Sequence, residues 1–301
     1  MKSFKLYIVA LMAMFVCTGF AQAQNSSVGQ IKAFIVNGSV QVQGADGKSA
    51  PLSRGDLVPV GSTILTGNDG LVLIVFSNGS AMQIKPDSTV QITKFDQAAF
   101  DDQGGANSFL RLNADPSKST TEMNLTKGTL AGQVKQLDLD AGSTFTVDTP
   151  AGSAGIRGTI PSITVKTDSN GRVTGVVIAC SQGDIVFSPA KIANLPPTLQ
   201  PGTVDIKEGG QVAIAITTND SGQVSSITVA GQAYTGADAQ AVIDELYTAV
   251  NEVRAQDGLP PVTVPTAAPA APPTTTTTTT TTNNNGKSTV PNTNPSLVSP
   301  S

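Results

Sequence analysis

The chain has 301 residues, 39% of them hydrophobic and only 13% charged, with a net charge of −4, no His, no Trp and two Cys. The lack of histidine excludes Ser-His-Asp and Cys-His nucleophilic machinery, histidine zinc sites and an imidazole pH switch. Only carboxylate, lysine or hydroxyl chemistry would be left to an enzyme, and the chain carries no motif for it, so the reading is non-enzymatic with no cofactor and no metal.

Lys2 and Lys5 precede an almost wholly apolar run, Leu6 to Phe20, followed by Ala21-Gln22-Ala23. This is the pattern of a secretory signal peptide over residues 1–23, and the run is shorter than the roughly 20 residues a membrane anchor needs. Cys17 follows Met14-Phe15-Val16 rather than the small residue of a lipobox, which argues against lipidation. Cleavage would leave 16 basic and 22 acidic residues and Cys180 as the single cysteine, so no intramolecular disulfide is expected. No later stretch is apolar enough to span a membrane, and no basic block suits nucleic acid. The expected location is the periplasm or the cell surface.

From residue 28 to about 190 the chain reads as many short strands separated by Gly-containing turns, the all-β pattern. Ile31 to Val36 runs through Asn37-Gly38 into Val40-Gln41-Val42-Gln43, which predicts a hairpin with a type I′ turn. Asn68-Asp69-Gly70 precedes Leu71 to Phe76, Asn78-Gly79 leads into Met82 to Lys85, and Asp168-Ser169-Asn170-Gly171 precedes Val173 to Ile178. The run Leu71 to Phe76 does not alternate, which predicts a strand covered on both faces, whereas Val40–Gln43 and Thr144–Val147 alternate and predict one wet face. A loose Gly-turn unit recurs at Gly38, Gly128, Gly183 and Gly209–Gly210, too irregularly for a solenoid. Asp96 to Asn107 and Asn113 to Thr121 read as polar surface loops. Residues 196–235 supply further strands extending the domain.

Thr235 and Asp238 form a capping-box pattern, and Val242, Leu246, Val250 and Val253 recur at helical spacing, predicting one amphipathic helix over 236–257. Its apolar stripe suits docking on the β domain, and its acidic exposed face does not suit a membrane surface. From 259 to 301 come Pro-Pro and Ala-Pro repeats, nine threonines from Thr274 to Thr282, and Asn283-Asn284-Asn285, a composition read as a disordered tail.

Asp138, Asp140 and Asp148 could offer oxygens to a hard cation, but the loop lacks a calcium-site pattern and solvated strand-end aspartates are the plainer reading. Cys180 sits among aliphatics and reads as a small buried hydrophobe with a raised pKa; a reactive thiol is the alternative. The most unusual segment is Thr149-Pro150-Ala151-Gly152-Ser153-Ala154-Gly155-Ile156-Arg157-Gly158-Thr159. There Arg157 is expected to cap carbonyls or pair with a carboxylate where two β layers meet, with Gly155 and Gly158 allowing close backbone approach; an anionic ligand site is the alternative.

That segment resembles the T-P-x-x-x-x-(G)-V-R-G-T signature of the FecR-like domain family, and "LSRGDLVPVGSTILTGNDGLVLIVFSNGSAMQIKPDSTVQI" resembles the family's opening. The resemblance implies an all-β, FecR-type sandwich or flattened roll over 28–190, with Thr149, Pro150, Gly155, Arg157, Gly158 and Thr159 as its structural or interaction motif. It also implies a sensory role outside the inner membrane. Well-understood members relay the state of a TonB-dependent receptor to an ECF sigma factor through a membrane-spanning segment. This chain has a cleavable signal in place of that segment, so it is similar to the stand-alone exported members, for which an unidentified envelope protein is the expected partner. Pro161, directly after the signature, points to an edge or a bulge. A structural or carbohydrate-associated surface protein with a Thr-rich spacer is the alternative; three Tyr, ten Phe and no Trp argue against sugar stacking.

Overall fold

The computed structural model describes residues 29–100, 109–192, 195–218, 224–232, 234–272 and 277–280. The expected signal peptide, 1–23, lies outside the described residues, as does the tail after residue 280. Fifteen strands are described: β1 Ile31–Asn37, β2 Val40–Gln43, β3 Ser49–Pro51, β4 Thr63–Thr66, β5 Leu71–Phe76, β6 Ala81–Ile84, β7 Thr89–Gln97, β8 Ser119–Gln133, β9 Thr144–Thr149, β10 Gly152–Thr167, β11 Val173–Pro189, β12 Val204–Ile206, β13 Gly210–Thr218, β14 Val224–Gln232 and β15 Thr277–Thr280. Among the described residues one α-helix, α1, spans Gly236–Gln256.

All fifteen strands belong to one continuous sheet that folds back on itself into two layers. The long strands make the fold visible, because each changes neighbour halfway along. The first half of β8 pairs with β7 and, in parallel, with β9, while its second half pairs with β6 and β10. β10 pairs with β9 over Gly152–Gly155 and with β8 over Ser162–Val165. β11 pairs with β13 over Gly175–Cys180 and with β12 over Ile185–Phe187.

The bends fall on glycines in left-handed conformations: Gly128 in β8 (φ 84°), Gly158 in β10 (φ 64°) and Gly183 in β11 (φ 78°). An L side chain is disfavoured at such φ values, which is why these positions are glycine. Pro161 belongs to the same bend. It lies inside β10 at a register shift, between the stretch paired to β9 and the stretch paired to β8, so it marks a bulge rather than an edge.

The hairpin expected from Asn37-Gly38 does not form. β1 pairs with β5, and β2 pairs with β3 and β4, so the turn carries the chain from one layer to the other. Gly38 still has the left-handed φ of 65°. Its partner is the second bend at 67–70: the Ser39 amide donates to Asp69 Oδ1 at 3.2 Å, and the Gly67 amide to the Ser39 carbonyl at 2.8 Å. A local turn signal specifies φ and leaves open which strands pair on either side of it. The Asn78-Gly79 and Ser169-Asn170-Gly171 turns do close hairpins, β5–β6 and β10–β11.

Between the layers lies the main core, where Phe76 of β5 meets Phe95 of β7 and Phe145 of β9 edge to face, at centroid distances of 5.0 and 5.8 Å. The lack of alternation in β5 has a direct cause. Val72, Ile74 and Phe76 enter that core, while Leu73 and Val75 point the other way into a second cluster with Ile243, Leu246, Tyr247, Val250 and Val253 of α1. The helix therefore docks on β1, β5, the second half of β8 and, through Ala239 against Ala179, β11. It opens on the expected capping box, with both Thr235–Asp238 bonds present.

Two differences from the sequence reading concern polar segments. Within the expected loop 113–121, Ser119 and Thr121 are fully buried at the start of β8. Ser119 Oγ donates to Asp115 Oδ2 at 2.7 Å and accepts from Asn78 Nδ2 at 3.2 Å, so a polar network replaces the expected solvent. In the other expected loop, Asp96 and Gln97 belong to β7, and 101–107 lie outside the described residues.

The first part of the Pro-rich tail is held in place. Asn251 clamps Val262 through both its amide atoms, at 2.8 and 3.1 Å. Gln240 does the same to Pro265 and Ala267, at 3.2 and 2.8 Å. The Ala271 amide then donates to the Gly209 carbonyl at 2.8 Å. Residues 259–272 thus run back along the helix, because two side-chain amides satisfy backbone groups that proline-rich sequence cannot pair with itself.

A Cβ at position 128 would lie 2.1 Å from Ser88 Oγ, which accepts the Thr129 amide at 2.9 Å, whereas a Cβ at Gly171, with φ 77°, would meet nothing within 4 Å. Both Gly→Ala changes incur the left-handed penalty of about 1–2 kcal/mol. Gly128→Ala adds an overpacking cost of about 1–3 kcal/mol. Urea unfolding should therefore show Gly128→Ala less stable than Gly171→Ala by about 2 kcal/mol.

Candidate functional site

The segment singled out in the sequence forms the turn between β9 and β10 and then the bend of β10. Thr149 and Gly152 face each other across the turn, with Pro150 at its corner. Thr149 Oγ1 donates to the Gly152 carbonyl at 2.7 Å and accepts the Ala151 amide at 3.3 Å. Gly152, with φ 139°, is fixed by packing as well, since a Cβ there would fall 2.2 Å from the Ser188 carbonyl.

Further along, the six expected residues separate in role. Gly155 is not needed for close approach: a Cβ there would make ordinary contact at 3.6 Å with the Val186 carbonyl. Gly158 is needed, because its φ is left-handed and a Cβ there would lie only 3.2 Å from Gln136 Cα. Thr159 is buried, and its carbonyl accepts the Val134 amide at 2.9 Å.

Arg157 differs from expectation. It is exposed, and its guanidinium makes no hydrogen bond or ion pair with the described residues. The reason is the period of two in a strand: Ala154 and Ile156 point into the core, which turns Gly155 and Arg157 outward. Its cross-strand neighbour Asp184 is engaged by Lys207 at 3.2 Å, and Glu208 accepts the Gly183 amide at 3.0 Å. Arg157, Asp184, Lys207 and Glu208 thus cluster around the β10–β11 bend, a charged ledge on a rigid backbone.

The carbonyl-capping role expected of Arg157 belongs to Arg254, at the end of α1. It is only 7% exposed and donates from Nη1 to the Leu110 carbonyl at 2.6 Å and from Nε to the Pro260 carbonyl at 2.8 Å. These bonds tie together the loop before β8, the helix and the tail. The sequence signal was a basic residue in the last helical turn, which the helix dipole favours but which says nothing about burial. Nearby, Lys135 has its pKa lowered, first by burial and then by the Arg254 charge. Its ammonium donates to Gln133 Oε1 at 3.1 Å, and Gln133 Nε2 donates to the Tyr247 hydroxyl at 2.8 Å. Burial raises the Tyr247 pKa, partly offset by that bond.

Cys180 is fully buried, and burial together with the Asp184 and Glu208 charges pushes its thiol up to about 12. Its Sγ donates toward the Gln182 and Gly183 carbonyls at 3.2 and 3.1 Å. This is the inert cysteine of the sequence reading. The three aspartates do not converge: Asp138 Oδ1 accepts the Ala141 amide at 3.0 Å in a local turn, whereas Asp148 accepts the Ser153 hydroxyl. Among the described residues no group of three or more Cys, Asp or Glu side chains is placed to hold a metal ion.

The family model described as FecR protein matches residues 62–186. Over that span the chain is similar to the FecR family. The match runs from just before β4 to near the end of β11 and encloses the bends at Gly128, Gly158 and Gly183 together with the whole Thr149–Thr159 segment. Strands β1 and β2, although they precede the matched span, are paired into it through β5 and β4. A comparison with curated proteins gives no match. Two crystal structures of a candidate anti-sigma factor from Parabacteroides distasonis, at 1.65 and 2.50 Å, are similar at 10% identity with TM-scores of 0.34 and 0.36. The likeness covers 58% of this chain, which spans 62% of the length of those chains.

Arg254→Met should destabilise the chain by about 2–3 kcal/mol in urea unfolding, since the buried Leu110 carbonyl and the Pro260 carbonyl both lose a charged donor. The exposed Arg157→Ala should stay within about 0.5 kcal/mol of wild type. For Cys180, the raised folded pKa fixes the sign of a pH effect. Below pH 9 the thiol is neutral in both states; between pH 9 and about 12 the unfolded chain ionises first and binds fewer protons, so stability falls as pH rises. Cys180→Ala should remove that component, and the native thiol should resist iodoacetamide at pH 8 until denaturant is added.

Proposed function

We propose that this chain is an exported, non-enzymatic FecR-domain protein acting as a sensory or protein-interaction module of the cell envelope. One observation carries the reading. The matched span of 62–186 encloses a backbone bend defined by Gly158 and Gly183 that presents Arg157 to solvent with its guanidinium unengaged by the described residues. A planar, always-charged fork on a rigid support is suited to a carboxylate or a row of carbonyls on a partner protein. The basic n-region, the apolar run and the Ala21-Gln22-Ala23 site support export. Among the described residues no helix is long and apolar enough to cross a membrane.

Crosslinking with mass spectrometry on the protein in its own cells tests the proposal, comparing wild type with Arg157→Ala. The expected result is a discrete envelope protein captured by wild type and reduced at least tenfold in the variant, with unchanged thermal stability. Absence of any defined partner, with fractionation to the wall or outer membrane regardless of Arg157, would favour a structural spacer instead.

A further inference from the structure

Arg254 and Lys135 are two neighbouring cations that the described residues do not neutralise. Arg254 donates from Nε to the Pro260 carbonyl and from Nη1 to the Leu110 carbonyl, both uncharged acceptors. Lys135, half-buried just after β8, donates to Gln133 Oε1 at 3.1 Å, another neutral group. Burial lowers its pKa, and the charge that adds to this effect is the like charge of Arg254. The carboxylates of α1 are engaged elsewhere: Glu245 pairs with Lys85, Asp244 accepts from Gln240 and Glu252 accepts from Gln256. Asp257, three residues beyond Arg254, forms no ion pair with either cation among the described residues.

The polar groups at this seam share a surplus of donors. Tyr247 and Arg254 are each only 7% exposed. The Tyr247 hydroxyl accepts from Gln133 Nε2 at 2.8 Å, which leaves its own proton without an acceptor among the described residues. Two N–H protons of Lys135 and the Nη2 group of Arg254 are in the same condition. Gln133, whose side chain could accept, is already used at both amide atoms. The donors are also held in place. The Lys135 amide donates to Ser80 Oγ at 3.1 Å, and its Cγ lies 3.3 Å from where a Cβ on Gly79 would sit. The Phe109 carbonyl lies 3.4 Å from that same point, while the next carbonyl, of Leu110, takes Arg254 Nη1 at 2.6 Å, so one short loop brings the two cations together.

Burying positive charge and unused donors is costly unless an acceptor of opposite charge completes them. We propose that Lys135, Tyr247 and Arg254 form a binding site for a tetrahedral oxyanion of the phosphate class, at the seam between α1 and the end of β8. Donors on three side chains from two elements suit an anion with acceptors in several directions, whereas a carboxylate offers two oxygens in one plane. Because Lys135 follows a strand of the sheet and Tyr247 and Arg254 belong to the helix, the bound anion ties α1 to the sheet. None of the three is Arg157, and the test reads a small ion rather than a partner protein, so its outcome is independent of the function proposed above.

Inorganic phosphate, glycerol phosphate and acetate are titrated calorimetrically into the full-length protein, with chloride holding the ionic strength at about 100 mM so that screening is constant. Hydrogen exchange across α1 is read with and without phosphate. Wild type should bind phosphate at a single saturable site and prefer it to acetate by about tenfold. Lys135→Gln removes the charge and should weaken phosphate binding by about tenfold or more, since a hydrogen bond between charged groups is lost. Tyr247→Phe keeps the ring in the helix interface and should weaken binding severalfold. Saturating phosphate should slow exchange in α1 of wild type and leave Lys135→Gln unchanged. Tighter binding of glycerol phosphate marks the ligand as a phosphomonoester and tighter binding of phosphate marks it as the free ion; both uphold the site. Three results would overturn the proposal: no saturable phosphate binding by folded wild type; equal binding by wild type and both variants, the mark of an adventitious ion only; or acetate bound as tightly as phosphate.

Discussion

The fold depends on left-handed glycines at the bends of its strands. A flat sheet of fifteen strands could not bury one face against the other, and an L residue would resist the turn that folds it. Gly38, Gly128, Gly158 and Gly183 let β1–β2, β8, β10 and β11 pass from layer to layer as they change neighbours. Each bend is also tightly packed against another segment: Gly38 against Asp69, Gly128 against Ser88, Gly183 against Thr159. The aromatic contacts of Phe76 follow from that folding, since its partners on β7 and β9 lie in the opposite layer.

Closing the sandwich leaves the outer face of β5 apolar, and the C-terminal third of the chain covers it. Helix α1 supplies the apolar stripe, Arg254 locks its end to the loop before β8, and Asn251 and Gln240 hold the returning tail. The tail then arrives at the edge of β14, so a segment with no hydrophobic core of its own is organised entirely by what it covers. The opposite face of the bends, where Arg157 stands, stays uncovered by the described residues.

Much of this was legible in the sequence wherever a local rule has a single outcome. The unbroken apolar run of β5 required two covered faces. Thr235 and Asp238 fixed the helix start, and the aliphatic surroundings of Cys180 fixed its burial. The pairing partners of Asn37-Gly38 were not legible, because φ at a turn is local and strand pairing is not. Arg157 was misplaced for a different reason: chemistry suggested a buried fork, while the simple alternation of Ala154 and Ile156 already pointed it outward. Asp115 and Ser119 looked like loop residues because a buried polar network has the same composition as a wet surface. Arg254 carried only the signal of helix-dipole complementarity. The motif resemblance covered the span that matches the FecR family, and one glycine of its signature, Gly158, is itself a bend.

The central claim is that the ledge around the β10–β11 bend is where this domain meets another protein. A photo-crosslinking residue at exposed Gln136, which lies against Gly158, can be compared with one at Gly171, in the turn at the far end of the β10–β11 hairpin. In intact cells the account predicts one discrete crosslinked protein from position 136 and none from position 171. Equal crosslinking from both positions, or from 171 alone, would contradict it.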